Sequence, residues 1–208
     1  MSPAALGRSP SRGDQDMRVA IVGSGRLGAP LGRLLAVAGH DVLFSDAEPE
    51  RAVAAARAAD GPARDGSPIE AARFGEVVVL AVGWEAFPLV MAELGAALTG
   101  KIVIDPSNPI AERDGAAVVV AVPGGLTSPQ YQQRVLGADV RLVRTFNTKY
   151  PNELLELGIA GQRGGARADM PYWGDDDEAK KAVVPLIEDG GFTAIDGGGL
   201  SEALCCLL

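Results

Sequence analysis

The chain begins without periodicity and then alternates. Residues 1–16, "MSPAALGRSPSRGDQD", are rich in Pro, Ser, Gly and Arg and show no repeat of apolar positions. Such a stretch cannot bury enough apolar surface to offset chain entropy, so a disordered tail is expected. Met17 directly precedes the first apolar run and is, by position, a candidate true start. Runs of branched apolar residues at 17–22 (MRVAIV), 41–45 (DVLFS), 76–82 (EVVVLAV), 101–105 (KIVID), 116–122 (AAVVVAV) and 140–146 (VRLVRTF) read as strands. Helices are predicted over 26–39, 48–60, 67–75 and 84–98 and near 127–137. Gly39 closes the first of these. Ser67, Pro68 and Glu70 supply the cap, first-turn proline and reciprocal carboxylate of a capping box. Residues 61–66 (GPARDG) read as a loop. Beyond 150 the pattern predicts a helix near 151–158, a loop at 161–169, a short strand at 171–174, an acidic-start helix at 175–189 and a strand at 192–196.

Strands alternating with helices imply right-handed crossovers and a parallel sheet. The expected fold is therefore α/β: a Rossmann-type, doubly wound parallel sheet with a short α/β C-terminal extension from about residue 150. No repeat or linker divides 17–208, which reads as one domain. At 208 residues the chain is long enough for a sizeable core. Scarce aromatics with abundant Gly and Ala favour helices packed closely on a sheet over a β-sandwich. The net charge of −8 argues against a broad nucleic-acid surface, which needs clustered Lys and Arg. No apolar run has membrane-spanning length, and the N-terminus lacks the apolar core of a signal peptide. Cys205 and Cys206 are adjacent, which suits neither a disulfide framework nor a metal knuckle. A reduced, cytoplasmic protein without a metal site is the expectation.

Chemistry enters at Gly23-Ser24-Gly25-Arg26-Leu27-Gly28, a Gly-x-Gly-x-x-Gly between a buried strand and a helix. Gly23 allows the tight turn, Gly25 lets a pyrophosphate approach the backbone, and Gly28 lets the helix pack near the strand. The N–H groups at the helix start face the anion. About 20 residues on, Ser45-Asp46 ends the second strand, where a carboxylate bonds the adenosine ribose hydroxyls of NAD. That charge repels the 2′-phosphate of NADP, and Glu48 adds a second. Arg26 and Arg51 are the nearest cations. Asp46 also reads as a helix cap before Glu48-Pro49-Glu50, and the two roles are compatible.

In open α/β sheets the ligand lies beyond the carboxyl ends of the strands. The loops there are 81–84, 105–109, 122–125 and 146–149. Ala81, Val82, Gly83 and Trp84 are expected to pass over the ribose-to-nicotinamide stretch, with Trp84 either a packing wall or a core anchor. Ser107 and Asn108 suit a ribose or carboxamide, or else a turn between Pro106 and Pro109.

Five stretches, in this order and spacing, carry a wider likeness: "VAIVGSGRLGAPLGRLLAVAGHDV", "VVLAVGWEAFPLVMAELG", "GKIVIDPSNP", "RLVRTFNT" and "GDDDEAKKAVVPLIEDGGF" running into "IDGGGL". From about 17 to 200 the chain resembles the NADP-dependent oxidoreductases of the deazaflavin coenzyme F420. The resemblance implies a Rossmann domain with a small C-terminal part and hydride transfer between nicotinamide and deazaflavin. Three departures stand out. The family typically has Ser-Arg-Arg around the 2′-phosphate, where this chain has Asp46, Ala47 and Glu48. Gly83 replaces the proline before Trp84. The family continues past the equivalent of "DGGGLSEAL", whereas this chain stops at Leu208. Together these readings favour NAD over NADP, with coenzyme F420 as a possible co-substrate.

Hydride transfer between stacked rings needs little acid–base help, and the sequence offers little. The only histidine, His40, lies at the entrance to the second strand and reads as structural. Asn147, Thr148 and Lys149 are the candidates for touching the second substrate, with Lys149 and Asn147 the candidate catalytic residues. Lys149 suits the anionic tail of a deazaflavin, proton exchange with a small imine, carbonyl or alcohol, or mere solvation. A dinucleotide-binding regulatory module without turnover is the other alternative. The apolar end "LSEALCCLL" is expected to pack against a second subunit or back over the sheet, a homodimer being favoured.

Overall fold

The computed structural model describes residues 16–203. The expected N-terminal tail up to residue 15 and the cysteine pair in 204–208 lie outside them. Strands β1 (Arg18–Val22), β2 (Asp41–Ser45), β3 (Ala63–Asp65), β4 (Val77–Leu80), β5 (Ile102–Asp105) and β8 (Arg141–Arg144) form the parallel body of one sheet, in the order β8-β5-β4-β1-β2-β3. Successive residues of β1 point to opposite faces, and both faces are buried. Val19 and Ile21 join Leu31, Leu34 and Phe44 in one apolar layer, while Ala20 and Val22 join Ala71, Phe87 and Leu94 in the other. Burial on both sides is why these strands read as unbroken apolar runs.

Helices α1 (Gly28–Ala38) and α2 (Pro49–Arg57) supply the first layer; α3 (Pro68–Phe74) and α4 (Phe87–Leu94) supply the second. The Ser67 capping box is present, with Ser67 N–H donating to Glu70 Oε2 at 2.8 Å. Three expectations are adjusted here. Part of the 61–66 loop is β3, a three-residue edge strand paired to β2, too short to show in periodicity. The helix expected at 84–98 is α helix only to Leu94, then a tight 3-10 turn from Gly95 to Leu98. The helix near 151–158 continues to Gln162 as α6 (Pro151–Gln162).

Two corrections are larger. Residues 116–122 are not a strand of the main sheet. Ala116–Val119 form β7, paired antiparallel with β6 (Ile110–Arg113) in a separate two-stranded hairpin. Asp114 and Gly115 turn it with φ of 54° and 78°, the doubly left-handed backbone that an Asp-Gly pair tolerates. Two residues cannot make a parallel crossover. The sheet is also not parallel throughout. β9 (Asp169–Gly174) runs antiparallel to β8, and β10 (Thr193–Asp196) runs parallel to β9 at the far edge, with α7 (Asp177–Asp189) between them. Apolar periodicity is the same for both strand directions, so it carried no warning.

His40 is buried, accepts the Met17 N–H at Nδ1 (3.2 Å) and lies 3.3 Å from Asp189 Oδ2 through Nε2. It ties the start of β1 to the end of α7. Among the described residues, no helix is long and apolar enough to cross a membrane.

Candidate functional site

The turn between β1 and α1 separates the three glycines by what each excludes. Gly23 has φ 96°, donates its N–H to the Ser45 carbonyl at 2.9 Å, and leaves only 2.5 Å between an added Cβ and the Ala81 carbonyl oxygen. A Cβ on Gly28 would collide with the Gly23 carbonyl. Gly23 and Gly28 are thus required by the protein's own packing. A Cβ on Gly25 meets nothing within 4 Å, so that backbone borders open space at the start of α1. No side chain caps α1, and its first turn holds no acid. These features fit a pyrophosphate against Gly25 and the leading N–H groups.

Asp46 is half-buried and already holds two backbone donors. Its Oδ2 accepts the Ser24 N–H at 2.7 Å and its Oδ1 accepts the Glu48 N–H at 3.0 Å. It bends the chain ahead of α2, whose cap position is Glu48 rather than Asp46. Each carboxylate oxygen has further acceptor capacity for a ribose hydroxyl. Ser45 Oγ is turned inward to the Ile21 carbonyl (3.1 Å), and Ser24 Oγ to that of Ser45 (3.0 Å). Arg51 is engaged with Glu48 at 2.9 Å. Beside Asp46 a cavity of about 580 Å³ is lined by Ala47, Asp65, Ser67 and Glu93, with three carboxylates and no cation.

A cavity of about 440 Å³ gathers the loops at the strand ends. Arg26 and Leu27 come from the glycine turn, Val82, Gly83 and Trp84 from after β4, Ser107 and Asn108 from after β5, and Asn147 and Lys149 from after β8. Ala81 lines a smaller recess alongside, shared with Arg26 and Ser107. Gly23, Ser24, Gly25, Gly28, Ser45 and Asp46 shape the turn and do not line the larger cavity. Trp84 is half-buried, with its ring 5.5 Å from that of Tyr131 on α5 (Ser128–Leu136). It is both wall and anchor. Ile110 and Ala117 of the hairpin form another wall. Arg113 pins the hairpin by gripping Glu85 with both terminal nitrogens, at 2.6 and 3.1 Å. Those hydrogen bonds hold the Glu85 carboxyl below the ordinary glutamate range.

Sequence reasoning missed what lies under this cavity. Asp105 and Arg144 are register partners on β5 and β8, are both buried, and form an ion pair at 2.7 Å. Asp105 also accepts the Ser107 N–H at 2.9 Å. The other terminal nitrogen of Arg144 donates to Asn108 Oδ1 at 2.8 Å, and Asn108 Nδ2 donates to the Asn147 carbonyl at 3.0 Å. Buried Gln132 donates to Ser107 Oγ at 3.0 Å. The signal was present: opposite charges, Asp105 and Arg144, close the apolar stretches KIVID and VRLVR.

Fold and site together define a Rossmann-type α/β domain with a glycine turn and a cavity at the strand ends. Residues 18–109 match the family model described as NADP oxidoreductase, coenzyme F420-dependent. The F420-dependent NADP reductase of Methanothermobacter marburgensis is 27% identical over 198 residues, covering 90% of this chain and 86% of the relative. Two crystal structures share the fold. One is a putative F420-dependent NADP reductase from Arthrobacter sp. FB24, with TM-score 0.72, 24% identity and coverage of 88% and 86% of the two chains. The other is a hypothetical protein of Sinorhizobium meliloti, with TM-score 0.76, 22% identity and coverage of 89% and 87%. The resemblance read from the sequence is thus met again in the family model and the curated relative, and the two crystal structures share the fold.

Proposed function

We propose that the protein is an oxidoreductase that transfers hydride between a nicotinamide dinucleotide, preferentially NAD(H), and a deazaflavin of the coenzyme F420 type. The sequence relatives, named as F420-dependent NADP reductases, support an NAD(P)-linked oxidoreductase. The observation that carries the reading is the open face of Gly25 in the same turn whose Arg26 and Leu27 line a 440 Å³ cavity with Val82 and Trp84. In this reading the Gly25 backbone and the first turn of α1 hold the pyrophosphate, and Asp46 holds the adenosine ribose. Ser107 and Asn108 orient the nicotinamide end, and the apolar walls exclude water. When bound, the nicotinamide supplies the carbon that gives or takes hydride. Lys149 and Asn147 meet the second substrate, Lys149 as a fixed charge for an anionic tail. The position of Lys149 on the cavity also favours a second reading, reduction of a small imine or carbonyl with Lys149 as proton donor. Homodimer formation through the C-terminal "LSEALCCLL" and a cytoplasmic location belong to the same proposal, and light scattering tests the first.

The decisive measurement is loss of deazaflavin visible absorbance on adding NADH or NADPH to the enzyme. Turnover of an imine or carbonyl instead selects the second reading, and binding without any turnover sinks both. Cofactor preference is tested by calorimetric titration. Two like charges a few Å apart at a partly exposed site cost on the order of 1–4 kcal/mol, so NAD(H) should bind about tenfold or more tighter than NADP(H). Asp46→Ser combined with Ala47→Arg should reverse the order. Tighter NADP(H) binding by the unaltered protein means that Arg26 or Arg51 outweighs Asp46.

A further inference from the structure

A buried ion pair gives little net stability, because desolvating both charges offsets their attraction. Asp105 and Arg144 are nonetheless buried directly beneath the candidate site, and their hydrogen bonds lead to one atom. Asn108 Oδ1 accepts from the Arg144 guanidinium at 2.8 Å, so it faces donors only. The Asn147 amide presents its NH₂ group to that same oxygen at 3.4 Å. Flipping the Asn147 amide would set two carbonyl oxygens against each other. The side-chain oxygen of Asn147 is therefore turned away from Asn108. Asn147 is 5% exposed and lines the cavity, and this oxygen has no donor among the described residues. Leaving a buried acceptor unpaired is unfavourable unless something else bonds it. The preceding residue, Phe146, is fully buried, has φ 61° and packs edge-on against Phe192. A bulky residue in that conformation persists only where its surroundings enforce it, and such strain clusters at functional sites.

We propose that Arg144 is a positioning residue: through Asn108 it fixes the Asn147 amide so that its oxygen accepts an amide N–H of the molecule bound in the cavity. This rests on the proposed function, which offers two sources of that group, the carboxamide of the nicotinamide and the ring imide of the deazaflavin. Neither Arg144 nor Asp105 needs to touch a ligand.

The test is calorimetric titration with two ligand pairs. One is the nicotinamide dinucleotide and its 3-acetylpyridine analogue, in which methyl replaces the amide nitrogen. The other is the deazaflavin and its derivative methylated at the imide nitrogen. The unaltered protein should prefer the N–H-bearing member of one pair by about tenfold, and that pair names the source. Asn147→Leu should reduce the preference to within about twofold. Arg144→Met should do the same while leaving the N–H-lacking member bound about as before. Should Arg144→Met not fold, Arg144→Lys keeps the charge beside Asp105 without the planar fork that reaches Asn108, and should lose the preference too. An undiminished preference in folded Arg144→Lys or Arg144→Met overturns the inference, as does a wild-type protein that discriminates within neither pair. Failure of every ligand to bind overturns the proposed function along with it.

Discussion

The two ends of the strand-end crevice are built by different means. Around β1 and β2 the backbone does the shaping: Gly23 and Gly28 make room for their own neighbours, and Gly25 leaves a surface open. Around β5 and β8 the shaping falls to side chains, with Asp105, Arg144, Asn108 and Asn147 bonded in series under the cavity. A backbone site tolerates sequence change wherever it does not add a Cβ in the wrong place. A side-chain network stands or falls on each member, because removing one strands the next without a partner.

The largest effect should come from the network. Arg144→Met leaves Asp105 charged and uncompensated in the interior, and should lower stability by about 3–5 kcal/mol in denaturant titration. Adding Asp105→Leu should recover most of that, since an apolar pair of similar size often serves as well. No recovery would mean that the pair holds the two loops by more than its charge. Next come the glycines. Gly28→Ala forces the Gly23 carbonyl to move and should cost about 1–3 kcal/mol. Gly25→Val should leave the melting temperature nearly unchanged while dinucleotide affinity falls by about tenfold or more. A Gly25 variant that binds normally removes this turn from the binding site. The smallest effect concerns the hairpin. The Glu85 carboxyl is held below its ordinary range by Arg113, so the latch is intact above the unfolded glutamate value and is lost as pH falls through the lowered one. Amide exchange in β6 and β7 should therefore quicken on acidification, and Glu85→Gln should show the quick exchange at neutral pH.

The same contrast explains what could be read from the chain. The glycine spacing, the Ser67 capping box and the β1–α1–β2 order are local, and each lies within a few dozen residues whose geometry is fixed by φ, ψ and helix pitch. Asp105 and Arg144 stand 39 positions apart and meet only because β5 and β8 are register partners, which periodicity does not specify. The hairpin was legible at Asp114-Gly115, but the apolar run that follows, exposed on both faces of β7, has the composition of a core strand. Asp46 was legible as a residue of two roles. Its bonds to Ser24 and Glu48 show that it shapes the turn whatever ligand it also holds.

The two margins of the sheet bear on how copies of the chain meet. β3 ends one side after three residues, with Arg64 and Asp65 exposed, and β10 ends the other after four, closing on the exposed Asp196 that pairs with Lys180 at 2.7 Å. Short, charged margins make poor templates for a ninth strand, the usual defence against runaway edge-to-edge stacking. Strand addition is thereby disfavoured at both borders, which leaves self-association to surfaces other than the sheet edges, the proposed C-terminal contact among them.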